Sequence, residues 1–259
     1  MKLLRSSVPA LVAGALLVGI WYGVKLAFSI PSFLLPAPHE VLAAAWRERR
    51  TLVPAALLTF EGAALGFVAA AGLGFLLAAA LSLSGLMRRA LSPYVLLFQM
   101  TPVVILAPIY VLWLGQGLPA IVAITFMICF FPVVASTMLG FASVDRRLVE
   151  LFVMCGARRR DELRRLRVPA ALPHYLMGLK IAGTLAPIGA ITGDFLAGSA
   201  QNGVGGLGFM TTVYYSQLRS PELFATGLAA CLLGFLFVGA VYLLHWRLLR
   251  QWHESARPR

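Results

Sequence analysis

Charge is what this sequence has least of, since Asp, Glu, Lys and Arg make up 12% of its 259 residues. An ordinary soluble domain has about 25% charged residues. Acidic residues are the scarcer kind, with 10 Asp plus Glu against 22 Lys plus Arg, and only three residues are Cys. With 60% apolar residues, this composition excludes a soluble domain, a disordered chain and a disulfide-rich scaffold. The sequence predicts an integral membrane protein, so the position of its cations becomes the main question.

Residues that carry out chemistry are also few and scattered. None of the three lysines follows a Gly-rich loop, so the chain has no phosphate-binding loop for ATP. The four histidines and three cysteines are not clustered as metal ligands are. Of the three aspartates, only Asp194 lies near a predicted span, which excludes a membrane aspartyl pair. We therefore expect no enzyme, no metal site and no cofactor in this chain.

Long stretches without formal charge predict helices that cross a membrane. The longest runs from residue 90 to 144, with a turn at Gly115-Gln116-Gly117. No stretch alternates as barrel strands do. The first stretch could instead be a signal peptide, but it is longer than such segments usually are, so we favour a retained span. The prediction is an all-α membrane protein with six spans near 8–28, 60–84, 92–114, 118–142, 173–194 and 223–246.

Residues 195–218 are also uncharged, but their glycines and polar residues indicate a loop. We predict an external loop with a short helix after Gly208, and whether the loop re-enters the membrane stays open. With six spans, sixteen cations fall on the side of both termini and four on the other side. Lys and Arg are enriched in cytoplasmic loops, so both termini are predicted to be cytoplasmic. The cations are spread over loops, so we expect membrane lipid rather than nucleic acid as their contact.

Half of those sixteen cations lie in one loop, residues 143–172. Leu148, Leu151, Phe152 and Cys155 recur with helical spacing, and Gly156 follows where a helix is expected to stop. A second short helix from Arg158 is predicted to present Leu163 and Leu166 and to end at Val168-Pro169. Two short helices with an apolar face and a basic rim are typical of a docking element.

This loop resembles the coupling motif of permease subunits of binding-protein-dependent ABC importers. The family's pattern is Glu-Ala-Ala, three residues, Gly, nine residues, then Ile-x-Leu-Pro. The matching positions, which depart from it in Leu151-Phe152, are Glu150, Leu151, Phe152, Gly156, Leu166, Val168, Pro169 and, in the following Ala-Ala-Leu-Pro, Pro173. By this resemblance Glu150 starts and caps the docking helix, Gly156 permits a bend, and the two prolines fix how the loop enters the fifth span.

The resemblance extends from Leu35 to the end of the chain, and is greatest to permeases for nitrate, sulfonate, taurine, thiamine-precursor pyrimidines and riboflavin. Further matching segments are Gln99-Met100-Thr101-Pro102, Phe131-Pro132, Ser143-Val144-Asp145, Gly178-Leu179-Lys180-Ile181-Ala182 and Gly206-Leu207-Gly208. The resemblance implies a single domain over residues 1–259, with the type I ABC importer permease fold, in a bacterial inner membrane. It also implies a permease homodimer, a dimer of ATPase subunits holding ATP and Mg²⁺, and an external solute-binding protein.

The prolines within spans suggest where a solute path lies, because a broken helix is tolerated where backbone faces a cavity or another helix. The candidate path residues are Gln99, Met100, Thr101, Pro102, Pro132 and Lys180. Lys180 can instead extend its ammonium to the membrane surface. We expect Lys25, Glu61 and Asp194 near the outer interface, satisfied by water and headgroups. The small residues at every fourth position from Gly62 to Gly74 predict close helix packing within the subunit.

The alternative function is a secondary carrier or uniporter that works alone. Such carriers are built from internal repeats with paired broken helices. The two halves of this sequence are unequal, because only the second contains the long basic loop. The importer permease is therefore the favoured prediction.

Overall fold

The computed structural model describes residues 2–83, 85–200 and 205–249, and every regular element in these ranges is helical. This confirms the all-α class. Arg250, Arg257 and Arg259, counted above among the cations near the termini, lie outside the described residues. The elements are α1 (Lys2–Ala27), α2 (Pro38–Arg47), α3 (Arg49–Leu83), α4 (Gly85–Met100), α5 (Val103–Leu114), α6 (Leu118–Ala142), α7 (Arg146–Met154), α8 (Arg159–Glu162), a π-turn (Leu163–Arg167), α9 (Val168–Ala197), α10 (Leu207–Ser216) and α11 (Ser220–Leu249).

Four helical stretches of the described chain are long and apolar enough to cross a membrane. They are α3, α6, the continuous stretch Arg159–Ala197 that includes α9, and α11. The pair α4 and α5 makes a fifth if it counts as one span, whereas α1 contributes a shorter apolar helix, Val12–Ala27. Four or five spans are therefore shown, and six remains a prediction.

The span predicted near 92–114 is broken at Pro102, one of the prolines expected to interrupt a span, and the chain bends by 96° between α4 and α5. Pro102 has an extended backbone, with φ −62° and ψ 117°, and is the first residue outside α5. Proline lacks an N–H and disfavours helical geometry in the residue before it. Thr101 closes α4 by donating from its hydroxyl to the carbonyl of Leu97, at 3.0 Å. The helix therefore ends at this point and restarts in a new direction.

The centre of the bundle is α3, α6 and α9, which pack along most of their lengths. The ladder of small residues on α3 faces α6, because a Cβ on Gly62 or Gly66 would lie 2.7 Å from Ile121 or 2.6 Å from Thr125. A Cβ on Gly74 would meet Val133 at 2.9 Å. These side chains of α6 occupy the space that the glycines leave, which confirms the prediction of close packing within the subunit.

The outer helix α11 packs on α9 and α3 of this core, whereas α1 contacts α2 and, through Trp21, Phe224 of α11. Phe237 of α11 makes edge-to-face contacts with Phe60 and Phe67 of α3, at ring-centroid distances of 5.6 and 5.8 Å. Trp21 of α1 donates its indole N–H to the carbonyl of Pro36, at 3.1 Å. Lys25, at the end of α1, pairs with Glu40 of α2 at 3.1 Å. Specific contacts thus hold the last turns of α1 against the segment that leads into α3.

Candidate functional site

The helix α7 forms at the start of the predicted docking loop because a side chain caps it. Asp145 accepts a hydrogen bond at 2.9 Å from the backbone N–H of Arg147, and this N–H is one of the groups that a helix start leaves unpaired. Glu150 lies in the middle of α7 and pairs with Arg146 one turn earlier, at 3.2 Å. The predicted capping role of Glu150 is therefore wrong. Asp145 has the favoured residue type directly before the helix, which is the signal that identifies a cap.

The end of α7 is set by Gly156, which has a φ of +71°. The N–H of Gly156 donates to the carbonyl of Val153 and that of Ala157 to the carbonyl of Phe152, both at 3.0 Å. This pair of bonds is the Schellman arrangement, which needs a left-handed residue at the glycine position. Gly156 therefore provides the bend predicted for it, through its backbone conformation.

Gly156→Ala is expected to destabilise the end of α7 by about 1–2 kcal/mol, the cost of a left-handed conformation for a residue with a Cβ. No atom lies within 4 Å of the added Cβ, so the effect comes from φ alone. Hydrogen exchange of the Gly156 and Ala157 amides should accelerate about tenfold or more. Gly72→Ala is the matched control, because Gly72 is helical and equally open. Equal protection in both variants would contradict this account.

The apolar face of α7 points away from the rest of the chain, and none of its nine residues is buried. Leu148, Leu151 and Met154 are 46, 53 and 84% exposed. Phe152 is only half-buried, on the side that turns towards the bundle. Exposed arginines flank this face on both sides in sequence, at 146, 147, 158, 159, 160, 164 and 165. A face of this kind lacks a partner within the described chain and is suited to bind another protein.

The second part of the loop continues into α9 instead of ending at Val168-Pro169, so that prediction is wrong. Val168 is helical, with φ −63° and ψ −49°, although a proline follows it. The π-turn before it contains one more residue per hydrogen-bonded ring than an α-turn and so absorbs the irregularity. The N–H of Val168 donates to the carbonyl of Leu163, five residues back. Pro169 is the second residue of α9 and follows the π-turn directly.

The two leucines predicted to be presented by this second helix are not both available. Leu163 and Val168 pack on a small core made by Ala78, Phe141 and Ala171. Leu166 is half-buried, and Pro173 lies on the exposed side of α9. The outward apolar surface of the loop is therefore that of α7.

A cavity of about 290 Å³ lies beneath α7, between the last turns of α3 and α6. Val149 of α7 and Arg167 of the π-turn close it on the loop side. Arg167 donates from Nε to Glu162 at 2.6 Å, and both side chains are mostly buried, with 26 and 15% exposure. No local pattern indicates this pair, because residues five apart are not neighbours on an α-helix.

The candidate path residues lie in three separate places. Gln99, Met100, Thr101 and Pro102 form the elbow between α4 and α5, where Met100 is 80% exposed. Pro132 lies inside α6, and its carbonyl faces Gly178 of α9. Lys180 places its ammonium over the ring of Tyr242, 4.2 Å from the centroid, which turns it towards α11. Whether any of these residues contacts a solute stays a prediction.

An aromatic cleft of about 450 Å³ lies beside the elbow, between α4, α5 and α6. Its lining contains no charged side chain. The aromatic residues that line it are Tyr94, Phe98, Tyr110, Trp113, Phe126, Phe130 and Phe131. These residues are dispersed over three helices, so the sequence alone did not indicate that they meet. The cleft is suited to a flat apolar group, which aromatic rings bind by stacking.

Asp194 is fully buried at the other end of the bundle, so the expectation that water and headgroups satisfy it is wrong. Its Oδ2 accepts from the N–H of Gly208 at 2.8 Å, and the hydroxyl of Thr59 lies 3.3 Å from the same oxygen. Thr59 in turn accepts from the N–H of Leu207, at 2.9 Å. The carboxylate therefore holds the positive start of α10 against α3 and α9. The short helix predicted after Gly208 begins at Leu207.

Charged side chains near this end form ion pairs, two of which join different segments of the chain. Arg219 bonds Glu48 at 2.7 Å and Glu222 at 3.0 Å, and these bonds raise its pKa above the usual value. Burial, followed by the charge of Glu48, raises the pKa of Tyr214 to about 12. The Ala37 N–H and then the Lys25 ammonium lower the pKa of Glu40 to about 2. These charges pair with each other and so join α1, α2, α10 and α11.

No three His, Cys, Asp or Glu side chains of the described residues come together as metal ligands could. The known proteins that this chain resembles are transport proteins. The family described as "Binding-protein-dependent transport system inner membrane component" matches residues 62–251. Formylaminopyrimidine transport permease protein ThiX of Halalkalibacterium halodurans is 39% identical over 164 residues, which is 61% of this chain and 64% of ThiX. This chain thus spans slightly less than two thirds of ThiX.

Two further relatives cover more of the chain. Riboflavin transport system permease protein RibX of Chloroflexus aurantiacus is 33% identical over 242 residues, 93% of this chain and 88% of RibX. A chain of the MetNI methionine ABC transporter, in an inward-facing crystal structure, has a TM-score of 0.58 at 20% identity. That match covers 77% of this chain and 95% of the other, and shows a shared fold.

Proposed function

The chain belongs to the family of binding-protein-dependent transport system inner membrane components, permeases of ABC importers, and we propose that α7 is where the ATP-hydrolysing subunit docks. The observation that carries this proposal is the uncovered apolar face of α7. Asp145 and Gly156 hold the helix at its two ends, so the face is rigid before a partner arrives. A preformed face loses little entropy on binding. The exposed run Arg158-Arg159-Arg160 that follows the helix favours a partner groove with an acidic rim.

The assembly we propose has two copies of this chain, two ATPase subunits and an external solute-binding protein. The three lysines are in no phosphate-binding loop, so ATP and Mg²⁺ would be held by the ATPase subunits. ATP binding closes the ATPases, which move α7 and turn the permease pair from inward-open to outward-open. A secondary carrier has no use for the uncovered face of α7, and this observation favours the importer.

We further propose that α1 and the bent pair α4 and α5 complete a set of six spans in the bacterial inner membrane, with both termini in the cytoplasm. The bias of sixteen cations against four supports this orientation. It places α7 on the cytoplasmic side, where the ATPase is. It places α2, α10 and the Arg219 contacts outside, towards the solute-binding protein.

The three cysteines give a direct test of this orientation. Cys155 is exposed beside α7, Cys231 is exposed in the middle of α11, and Cys129 is buried. A charged maleimide that cannot cross membranes should therefore label Cys155 in inverted vesicles and leave Cys231, in lipid, unmodified. Right-side-out vesicles should remain unlabelled, and Cys155→Ser should remove the signal. Labelling of Cys155 from outside would contradict the orientation.

For the solute we propose a flat, uncharged heteroaromatic molecule of the pyrimidine or flavin type. The names of ThiX and RibX support this class, and so does the aromatic cleft beside the elbow. An anion such as a sulfonate or nitrate would need a cation or several N–H donors in the path. Lys180 is engaged with Tyr242, away from the cleft.

The function is tested by reconstituting the permease with its ATPase and binding protein in liposomes. Uptake of a labelled pyrimidine or flavin should require all three components and ATP. Uptake by the permease alone, without ATPase, would support the secondary carrier instead. Tyr110→Ala should reduce uptake of the aromatic solute about fivefold, because it removes one stacking contact worth about 1 kcal/mol. Sulfonate uptake with no pyrimidine or flavin uptake would contradict the solute class.

A further inference from the structure

The ion pair between Glu162 and Arg167 joins residues five positions apart, which is unusual for a helix. In an α-helix, neighbours on one face are three or four residues apart. Residues five apart are separated by roughly 140° around the axis, at 3.6 residues per turn. In this chain Nε of Arg167 lies 2.6 Å from Oε1 of Glu162. The pair therefore fits the π-turn better than it fits an α-helix through the same residues.

The π-turn is where the loop meets the first turn of α9. The N–H of Val168 donates to the carbonyl of Leu163, which is the five-residue bond of a π-helix. Pro169 follows at once and has no N–H with which to continue an α-helical ladder backwards. The ion pair between Glu162 and Arg167 also joins side chains five residues apart, one position earlier in the sequence. Backbone and side chains thus stabilise the same local register.

The surroundings of Arg167 link this register to two other helices. The guanidinium lines the cavity formed by Leu81 and Ser82, at the end of α3, and by Phe141 and Ala142, at the end of α6. Helix ends of this polarity carry partial negative charge and attract a cation. Val149 of α7 closes the same cavity. Arg167 thus lies where α3, α6, α7 and α9 converge.

We propose that Glu162 and Arg167 are positioning residues that fix the register of the π-turn and thereby the orientation of α7 relative to α9. This inference rests on the proposed docking role of α7. When the pair separates, the π-turn can rewind as an α-helix, which rotates the loop by about 100°, one residue's share of a turn. The 290 Å³ cavity leaves room for the side chains displaced by that change. The pair thus keeps the conformation of the loop unchanged when the ATPase moves α7, so that α9 moves with it.

The experiment uses the complete complex of permease, ATPase and binding protein in nanodiscs. Arg167→Gln and Glu162→Ala remove the pair, and Arg164→Gln is the control because Arg164 is an exposed arginine of the same turn. Assembly and basal ATP hydrolysis should be retained in all three variants. The stimulation of hydrolysis by solute-loaded binding protein should fall about fivefold or more in the first two, as is typical of a lost coupling energy. The control should keep the stimulation of the unmodified complex.

A distance measurement separates positioning from simple stability. Spin labels at Cys155 and at Leu83→Cys, in a Cys231→Ser background, report the separation of α7 from the end of α3. One narrow distribution is expected with the pair intact or with Arg164→Gln, and a second population with Arg167→Gln or Glu162→Ala. Glu162→Arg combined with Arg167→Glu should restore part of the stimulation, because the ion pair re-forms with its charges exchanged. The recovery should be incomplete, because the exchange places a carboxylate near the C-terminal ends of two helices, where negative charge is unfavourable.

The inference is overturned if Arg167→Gln and Glu162→Ala match the control in stimulation and in label distance. It is equally overturned if both variants lose assembly while the surviving complexes keep full stimulation, because that outcome describes a structural role. The proposed docking function is tested separately, by copurification of the ATPase with the Leu151→Glu permease.

Discussion

Leu151→Glu is expected to abolish copurification of the ATPase subunit with the permease and, with it, ATP-driven uptake. Leu151 is 53% exposed and lies on the outward face between Leu148 and Met154. Docking would bury it at the centre of the interface, where a carboxylate without a partner costs several kcal/mol. A loss of about 2–4 kcal/mol, typical of an interface hot spot, corresponds to a 30- to 1,000-fold weaker complex.

The permease itself should remain folded, because substitutions at exposed positions change the free energy of unfolding by about 0.5 kcal/mol or less. Arg146→Gln is the control on the same helix. The Arg146 side chain is 92% exposed and loses only its surface pair with Glu150, worth about 0.3–0.5 kcal/mol. Copurification with a tagged ATPase should be unchanged in the control and absent in Leu151→Glu. A stable, transporting complex with Leu151→Glu would remove α7 from the interface.

The sequence predicted α7 well because its determinants are local. A capping residue, an apolar period and a terminal glycine lie within twelve residues, at Asp145, Leu148 to Cys155 and Gly156. The assignment of the cap to Glu150 failed because Glu150 is the first residue of the family's motif but not the first residue of the helix, which begins at Arg146. The contact of α3 with α6 was also predictable, since a run of small residues leaves space that only a close neighbour fills.

The effect of the prolines was predicted less well, because it depends on how the neighbouring backbone compensates. Pro102 ends α4 and begins α5 in a new direction, whereas Pro169 is absorbed by the π-turn and the helix continues. Both are preceded by residues that proline biases away from helical geometry. The difference lies in the packing of Leu163 and Val168 on Ala78, Phe141 and Ala171, which holds the second helix in line. That packing is a tertiary effect that no local pattern contains.

Contacts between distant segments were out of reach for the same reason. Thr59 and Asp194 are 135 positions apart, and the backbone of α10 joins them. The sequence showed an aspartate near a span end and a Gly-Leu-Gly segment, and each has an ordinary local explanation. Only the fold shows that the glycines bring the start of α10 close enough for one carboxylate to bind it.

Gly208→Ala is expected to be among the most destabilising glycine-to-alanine substitutions in the described part of the chain. A Cβ on Gly208 would lie 2.2 Å from the carbonyl oxygen of Ile191 and 2.5 Å from the backbone nitrogen of Phe195. These are backbone atoms of α9 and cannot turn aside as a side chain does. Relief requires α10 to move away, which breaks the 2.8 Å bond to Asp194. We expect a loss of about 3 kcal/mol or more, because the carboxylate stays buried without its partner.

The measurement is the thermal midpoint and the yield of monodisperse permease in detergent. Because a domain is typically stable by about 5–15 kcal/mol, a loss of about 3 kcal/mol removes a large part of that stability, so Gly208→Ala should lower both the thermal midpoint and the yield. Gly227→Ala is the matched control, since Gly227 lies within α11 with no atom within 4 Å of its added Cβ. Alanine is the better helix former by about 1 kcal/mol, so the control should melt at or above the unmodified protein. If both variants melt alike, α10 is not clamped to α9, and Asp194 must be satisfied in some other way. If only Gly208→Ala collapses, the buried carboxylate and the glycine that admits it form one structural unit at the end opposite α7.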